Sequence, residues 1–107
     1  MKMSYLMIPI WELYYVKELK EISFNDSTSE NFKDQRSLFD RKKIYETLQW
    51  AEENPNYDFK EIMKNAPVPH KLEFSNKEVY EYLVKFKEFM ENEEYGVLTD
   101  DRPSIEF

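Results

Sequence analysis

The stretch SNKEVYEYLVKFKEFMENEEYG (residues 75–96) carries the clearest structural signal in this chain of 107 residues. Its apolar side chains recur at steps of three and four, which places them on one helix face; they are Val79, Tyr82, Leu83, Phe86, Phe89 and Met90. Ser75 and Glu78 have the S-x-x-E spacing of a capping box, and Gly96 stands where a C-terminal cap is expected. The stretch therefore predicts a helix with one buried face that leads into an acidic end.

Upstream of this helix, the sequence predicts two more. One runs from about Asp40, its cap, to Glu53, because the Asn-Pro pair at residues 54–55 ends it. A short helix from Asp58 follows, with inward-facing apolar residues at Phe59, Ile62, Met63 and Ala66. The segment HKLEF (residues 70–74) alternates apolar and polar residues, which indicates an extended linker or a short strand.

The N-terminal third is ambiguous between helix and strand. Pro9 fits the first turn of a helix, and the segment IWELYYVKELKEI (residues 10–22) can continue one, although the same residues are rich in β-forming types. Helix is favoured and strand remains the alternative. Residues 25–29 predict a polar loop, in which Ser27 and Glu30 form a second capping box before a short helix with Phe32, Leu38 and Phe39.

The single glycine of the chain, Gly96, favours helices over β structure, because tight turns and β-bulges usually need glycine. The predicted fold class is mainly α: a compact bundle of four to five short helices, with a short strand or two as the alternative at the N-terminal segment and at residues 70–74. Residues 1–96 are expected to form a single globular domain. Residues 97–107 are expected to form a flexible acidic tail.

Several classes of function are disfavoured by residue counts. The chain has no cysteine and one histidine, His70, so a thiolate nucleophile is excluded, as is a metal site built on Cys or several His ligands. One glycine cannot supply a phosphate-binding or dinucleotide-binding loop. No run of 18 apolar residues occurs, so no membrane span is expected. The sequence therefore predicts a cytoplasmic protein that is not an enzyme and that needs no cofactor or metal.

The formal net charge of −7 is concentrated at the C-terminal end. Residues 88–107, called here the acidic end, hold seven acids against Arg102 alone, whereas residues 1–87 hold 15 acids and 14 bases. A nucleic-acid-binding protein needs the opposite sign of charge, so direct binding to DNA or RNA is not expected. A basic protein is the natural complement of such an end.

The aromatic residues near the N-terminus are the other candidates for a binding surface. Tyrosine and tryptophan are enriched at binding hot spots, although filling the core is their commoner role. Four of them within eleven positions cannot all face one core, so some are expected at the surface. The candidate partner-binding residues are therefore Tyr5, Trp11, Tyr14, Tyr15, Glu91, Glu93, Glu94, Asp100 and Asp101.

These features favour a small inhibitor that binds a basic protein, as a monomer or a small homo-oligomer. The class that fits best is an immunity protein or antitoxin, which protects a bacterium by neutralising a basic toxin such as a nuclease. The alternative is a phage-encoded inhibitor of a host factor, including a partial DNA mimic, although the nearly neutral body argues against extensive mimicry. A small enzyme and a structural adaptor are the remaining alternatives.

Overall fold

Four α-helices make up most of the chain that the computed structural model describes, which is residues 4–63 and 72–103. They are α1 (Ser4–Trp11), α2 (Asp26–Gln35), α3 (Leu38–Glu53) and α4 (Asn76–Glu91). Short 3-10 turns lie at Glu12–Tyr14, Leu19–Glu21 and Phe59–Glu61. The described residues contain no strand, so the mainly α fold class is confirmed and the strand alternative finds no support among them.

The core is built round α4, as the spacing of its apolar residues predicted. All six predicted positions are buried: Val79, Tyr82, Leu83, Phe86, Phe89 and Met90. The helix packs most extensively against α3, which contributes buried Ile44, Leu48 and Ala51. Leu6 and Ile10 of α1 complete this centre with no exposed surface of their own. The burial of these large side chains supplies the main driving force for folding.

Two predicted helix boundaries are confirmed. The Ser75 Oγ accepts a hydrogen bond from the Glu78 amide at 3.1 Å, and the Glu78 carboxylate accepts one from the Ser75 amide at 2.9 Å. This is the reciprocal capping box that the sequence indicated at the start of α4. At the other boundary, α3 ends at Glu53 with Asn54 as its C-cap, directly before Pro55.

Two predicted helix starts are wrong, and in both cases an upstream side chain provides the cap. Ser37 rather than Asp40 caps α3, because its hydroxyl accepts from the Asp40 amide at 3.2 Å. Asn25 rather than Ser27 caps α2, because its side-chain oxygen accepts from the Thr28 amide at 3.0 Å. The predicted loop at residues 25–29 is therefore largely the first turn of a helix, and the predicted second capping box does not form.

The N-terminal segment is helical over a shorter range than expected. Pro9 lies inside α1 rather than in its first turn, and the helix ends at Trp11 instead of continuing to residue 22. Beyond it, the Glu21 carboxylate accepts hydrogen bonds from the amides of Lys17 and Glu18 at 2.6 and 2.7 Å. These amides therefore have a side-chain partner in place of a helical carbonyl, so residues 17 and 18 do not belong to a continuous helix.

The short helix expected after Asp58 is a 3-10 turn, Phe59–Glu61, with Phe59 and Met63 buried as predicted and Ile62 half-buried. Ala66 and His70 lie outside the described residues. Leu72 and Phe74 are buried but belong to no strand. Among the helices that the structure describes, none combines the length and the apolar character needed to cross a bilayer.

The C-terminal segment, residues 97–103, packs on the helical body. Val97 has no exposed surface, and the Arg41 guanidinium of α3 donates to the main-chain carbonyls of Val97 and Asp100. Within the stretch expected to form a flexible tail from residue 97 onward, Val97 and Asp100 are therefore in contact with α3. Residues 104–107 lie outside the described chain.

Gly96 is not the cap of α4, which ends at Glu91. With φ of 64°, it forms a separate turn.

Candidate protein-binding surface

Glu91, at the C-terminus of α4, is engaged within the protein itself. The Lys87 ammonium contacts its carboxylate at 2.8 Å, and the Tyr45 hydroxyl donates to the same oxygen at 2.6 Å. The hydrogen bonds from Lys87 and Tyr45 lower the pKa of Glu91 below its ordinary value. Glu91 therefore links α3 to α4 through Tyr45. Because its carboxylate is paired with Lys87, it attracts a basic partner less strongly than an unpaired carboxylate would.

Asp100 is engaged in the same way, through a cluster around Arg102. The Arg102 guanidinium contacts Asp100 at 2.6 Å, Glu30 at 2.6 Å and Asp34 at 3.1 Å. The hydrogen bond from Arg102 lowers the pKa values of Asp100 and Glu30. We call this group the Arg102 clasp; it joins the C-terminal segment to the face of α2 that carries Glu30 and Asp34.

Three candidate acids remain available to a partner. Glu93, Glu94 and Asp101 are exposed, and their carboxylates make no ion pair within the described part of the chain. We call them the free carboxylates. Of the five acids predicted as partner-binding residues, these three have no ion-pair partner in the described chain, while Glu91 and Asp100 are paired with Lys87 and Arg102.

The four aromatic candidates divide between the interior and the surface. Tyr14 is only 4% exposed, and burial raises the pKa of its phenol. Tyr5 is half-buried and packs against the core. Trp11 and Tyr15 are 36% and 61% exposed, and their ring centroids are 6.2 Å apart. The structure therefore brings Trp11 and Tyr15 together as a solvent-facing aromatic pair.

Trp11 also borders an open groove of about 640 Å³ that sequence analysis did not identify. This volume lies within the range of about 300–1,000 Å³ that is typical of ligand sites. The groove is formed by α1, α2, α4 and the connection between α1 and α2. Its apolar lining consists of Met7, Ile8, Trp11, Val16, Ile22, Phe24, Phe32, Tyr82 and Phe86.

Hydrogen bonds and ring contacts fix the walls of the groove. The Tyr82 hydroxyl donates to the carbonyl of Pro9 at 2.6 Å, and burial raises the pKa of Tyr82 far above its ordinary value, so this phenol stays a donor. The Phe24 ring lies 5.7 Å from that of Phe86, in an edge-to-face contact. The Tyr95 hydroxyl donates to the Phe24 carbonyl at 3.2 Å, which ties the acidic end to one wall of the groove.

Some charged groups on the groove lining already form hydrogen bonds within the protein, and others do not. Glu21 already accepts two main-chain amides, and those hydrogen bonds lower its pKa. Glu12 and Arg36 make no side-chain hydrogen bond or ion pair within the described residues, although both line the groove. A partner can therefore place polar groups against either one without first displacing a described contact.

No group of three or more His, Cys, Asp or Glu side chains in the described residues is arranged to hold a metal ion. Glu30, Asp34 and Asp100 do converge, but the Arg102 guanidinium lies among them. His70 lies outside the described residues.

Comparison with models of protein families, with curated proteins and with solved structures finds no match to this chain. Its function must therefore be inferred from the free carboxylates, the aromatic pair and the groove.

Proposed function

We propose that this protein binds and inhibits a basic protein, as an immunity protein or antitoxin that neutralises a cationic toxin such as a nuclease. The observation that best supports the proposal is the group of free carboxylates, Glu93, Glu94 and Asp101, on a body with nearly balanced charge. A nuclease presents cations to the phosphates of its substrate. An acidic surface on a second protein is complementary to those cations and competes with the substrate for them.

Electrostatic attraction acts first on the encounter between the two proteins. Oppositely charged surfaces raise the association rate and orient the partners before contact. Because Glu91 and Asp100 already pair with Lys87 and Arg102, we assign most of this steering to the free carboxylates. Their exposure also makes the attraction sensitive to salt, since mobile ions screen exposed charges beyond about 8–10 Å.

Aromatic side chains are proposed to supply the short-range affinity. Trp11 and Tyr15 are partly exposed and already in contact with each other, so ordering them on binding loses little conformational freedom.

In this proposal the protein acts in the cytoplasm by occupying a surface and not by catalysis, and it requires neither metal nor cofactor. Charge mimicry of DNA fits less well, because the 15 acids of residues 1–87 are balanced by 14 bases.

The proposal is tested by capturing the partner from the source organism with the immobilised protein and then purifying both proteins. We expect a partner with an isoelectric point well above neutrality, whose enzymatic activity falls in proportion to the amount of complex formed. A triple variant, Glu93→Gln with Glu94→Gln and Asp101→Asn, should inhibit less at equal concentration. A captured partner that is acidic, or one that binds without losing activity, contradicts the proposal.

A further inference from the structure

The groove beside Trp11 has no part in charge steering, yet it is an open recess of about 640 Å³ with nine apolar residues in its lining. We propose that it is the docking site for the apolar face of a short, basic, amphipathic segment of the partner. The apolar side chains of that segment fill the groove, and its cations lie against Glu12 and towards the acidic end. The sign of the partner's charge rests on the proposed function; the apolar docking does not.

The size of the groove suits several side chains rather than one. A cavity of about 150 Å³ is enough for a single benzene ring, whereas this groove measures about 640 Å³. An amphipathic helix presents such a set of apolar side chains at intervals of three and four residues along one face. The size therefore favours a peptide segment over a single inserted ring.

The lining combines adaptable and rigid apolar surfaces. Met7 and Ile8 are half-buried residues of α1, and a methionine side chain adjusts its shape to different partners. Trp11 adds a partly exposed ring at the end of the same helix. Grooves with this mixture of Met, aliphatic and aromatic side chains are typical of sites that accept amphipathic helices.

The groove is also formed before any partner binds. The hydrogen bond from Tyr82 to Pro9 joins α4 to α1, and the bond from Tyr95 to Phe24 anchors the opposite wall. Phe32 and Phe86 pack edge to face with ring centroids 5.6 Å apart. A preformed site loses little free energy to reorganisation on binding, so burial of the partner's apolar side chains translates more fully into affinity.

Charge decides which amphipathic segment the groove accepts. Glu12 is exposed without a described ion pair, and the acidic end, which is joined to the groove wall by the hydrogen bond from Tyr95 to Phe24, carries most of the net charge of −7. Arg36 is the cation among the lining residues, against the two carboxylates Glu12 and Glu21. A second copy of this chain would bring another −7, and an acidic segment would be repelled in the same way. A segment with lysine or arginine on its polar face is the complementary occupant.

Binding is measured with a synthetic probe, a short helix-forming Leu/Lys peptide whose leucines lie on one face. The Trp50→Phe variant leaves Trp11 as the single tryptophan, and Trp50 packs on Tyr57 rather than in the groove. We expect a saturable blue shift of Trp11 fluorescence as the peptide buries that ring. A peptide of equal composition with scattered leucines should produce a much weaker shift; equal shifts with both peptides overturn the proposal.

Substitutions at two valines distinguish binding of the peptide by apolar contacts from binding by charge alone. Val16 lines the groove, whereas Val84 is equally half-buried on α4 but outside it. If apolar burial drives binding, Val16→Glu should weaken the Leu/Lys peptide about tenfold or more, despite the added negative charge. Val84→Glu should not weaken it. Unchanged or tighter binding to Val16→Glu means that charge alone is responsible and overturns the proposal.

Trp11→Ala, measured by calorimetry with the same peptide, gives a second readout that does not depend on Val16→Glu folding. Phe39→Ala is its control, since Phe39 is 65% exposed on α3 and does not line the groove. Circular dichroism confirms that each variant is folded. We expect a loss of about tenfold for Trp11→Ala and none for Phe39→Ala; equal effects contradict the groove site.

The captured partner separates this proposal from the proposed function. If removal of the free carboxylates slows association while Val16→Glu leaves the dissociation rate unchanged, the groove proposal is wrong and the inhibitor proposal stands. If the captured partner is not basic but the Leu/Lys peptide still binds in a Val16-dependent way, the inhibitor proposal fails and the groove remains a docking site.

Discussion

Arg41 is a fully buried cation that holds three main-chain carbonyls. Its Nε donates to Arg36 at 2.9 Å, and its two terminal nitrogens donate to Val97 and Asp100. Burial lowers the pKa of Arg41, but a guanidinium remains protonated at every physiological pH. The residue therefore acts as a permanent donor that fixes the C-terminal segment to α3.

Replacing Arg41 by methionine keeps much of the apolar stem but removes all the donors. Because the three carbonyls then lack their side-chain donor, Arg41→Met should lower the free energy of unfolding by about 2–5 kcal/mol. Urea denaturation measures the loss, with the exposed neighbour Lys42→Met as control. If the two variants are equally stable, Arg41 is not the anchor that its contacts indicate.

A substitution at Leu83 tests whether the predicted face of α4 is buried. The side chain is 1% exposed, so Leu83→Ala should destabilise the protein by about 2–5 kcal/mol through lost burial and the cavity left behind. Lys85→Ala, at an exposed position two residues later, is the control. A fall in melting temperature no larger than that of Lys85→Ala would place the core elsewhere.

These two residues differ in what sequence could reveal about them. Leu83 belongs to a regular apolar repeat, so its burial follows from helical periodicity alone. Arg41 lies among Asp40, Lys42 and Lys43, in a run of charges that is typical of a solvated helix face. Two of its three partners lie more than 50 residues away in the chain, and no local pattern indicates contacts of that range.

At the scale of elements, the start of α2 depends on which of two cap-forming residues is used. Asn25 accepts from the Thr28 amide, whereas Ser27 is exposed inside the first turn. Asn25→Ala should therefore reduce stability by about 0.5–2 kcal/mol, as is usual for the loss of an N-cap. Ser27→Ala should leave it almost unchanged. Chemical denaturation measures the stability of both variants. If Ser27→Ala is the less stable of the two, Ser27 is the cap, as the sequence predicted.

The Arg102 clasp should make attachment of the C-terminal segment dependent on pH. Arg102 lowers the pKa values of Asp100 and Glu30 in the folded state, so their ionised forms favour folding. This contribution is present above the ordinary carboxyl pKa of about 4 and disappears as pH falls through the lowered folded values. Acid should therefore weaken the clasp, while alkali should not.

The Asp100→Asn variant isolates this effect. At neutral pH its melting temperature should be lower than that of the unaltered protein, and the difference should shrink as pH falls from about 5 to about 2. Asp101→Asn is the matched control, because Asp101 is exposed and makes no ion pair in the described chain. Parallel melting curves for Asp100→Asn and the unaltered protein across that range would contradict the clasp.

Elements were predictable where the chain uses the signal that the sequence shows. The capping box of Ser75 and Glu78 and the stop before Pro55 were both recognised, and the Asn76 side chain, which could also have capped α4, bonds Phe59 and Tyr57 instead. At α2 and α3, two residues able to cap stand close together, and only backbone geometry selects between them. Beyond Trp11, the Glu21 side chain takes amides that a continuous helix would have used, and propensity does not indicate this.

At the scale of the whole molecule, charge was more predictable than shape. Composition located the acidic end, but it did not reveal that Glu91 and Asp100 form ion pairs with Lys87 and Arg102. The aromatic candidates included Trp11, yet the groove beside it is assembled from separate stretches between Met7 and Phe86. A recess of this kind arises only when the helices pack, so no single stretch of sequence predicts it.

Steering by the acidic end is the central claim, and the association rate with the captured basic partner tests it most directly. The rate is measured at several salt concentrations for the unaltered protein and for the triple variant Glu93→Gln, Glu94→Gln and Asp101→Asn. The control loses the same charge from other exposed positions, through Glu53→Gln, Glu73→Gln and Glu81→Gln.

The triple variant should associate more slowly at low salt and show a flatter salt dependence, with little change in the dissociation rate. The association rate of the control variant should fall less, because its substituted carboxylates lie outside the acidic end. If the partner associates equally fast after the free carboxylates are removed, the acidic end does not steer binding and the inhibitor proposal loses its physical basis.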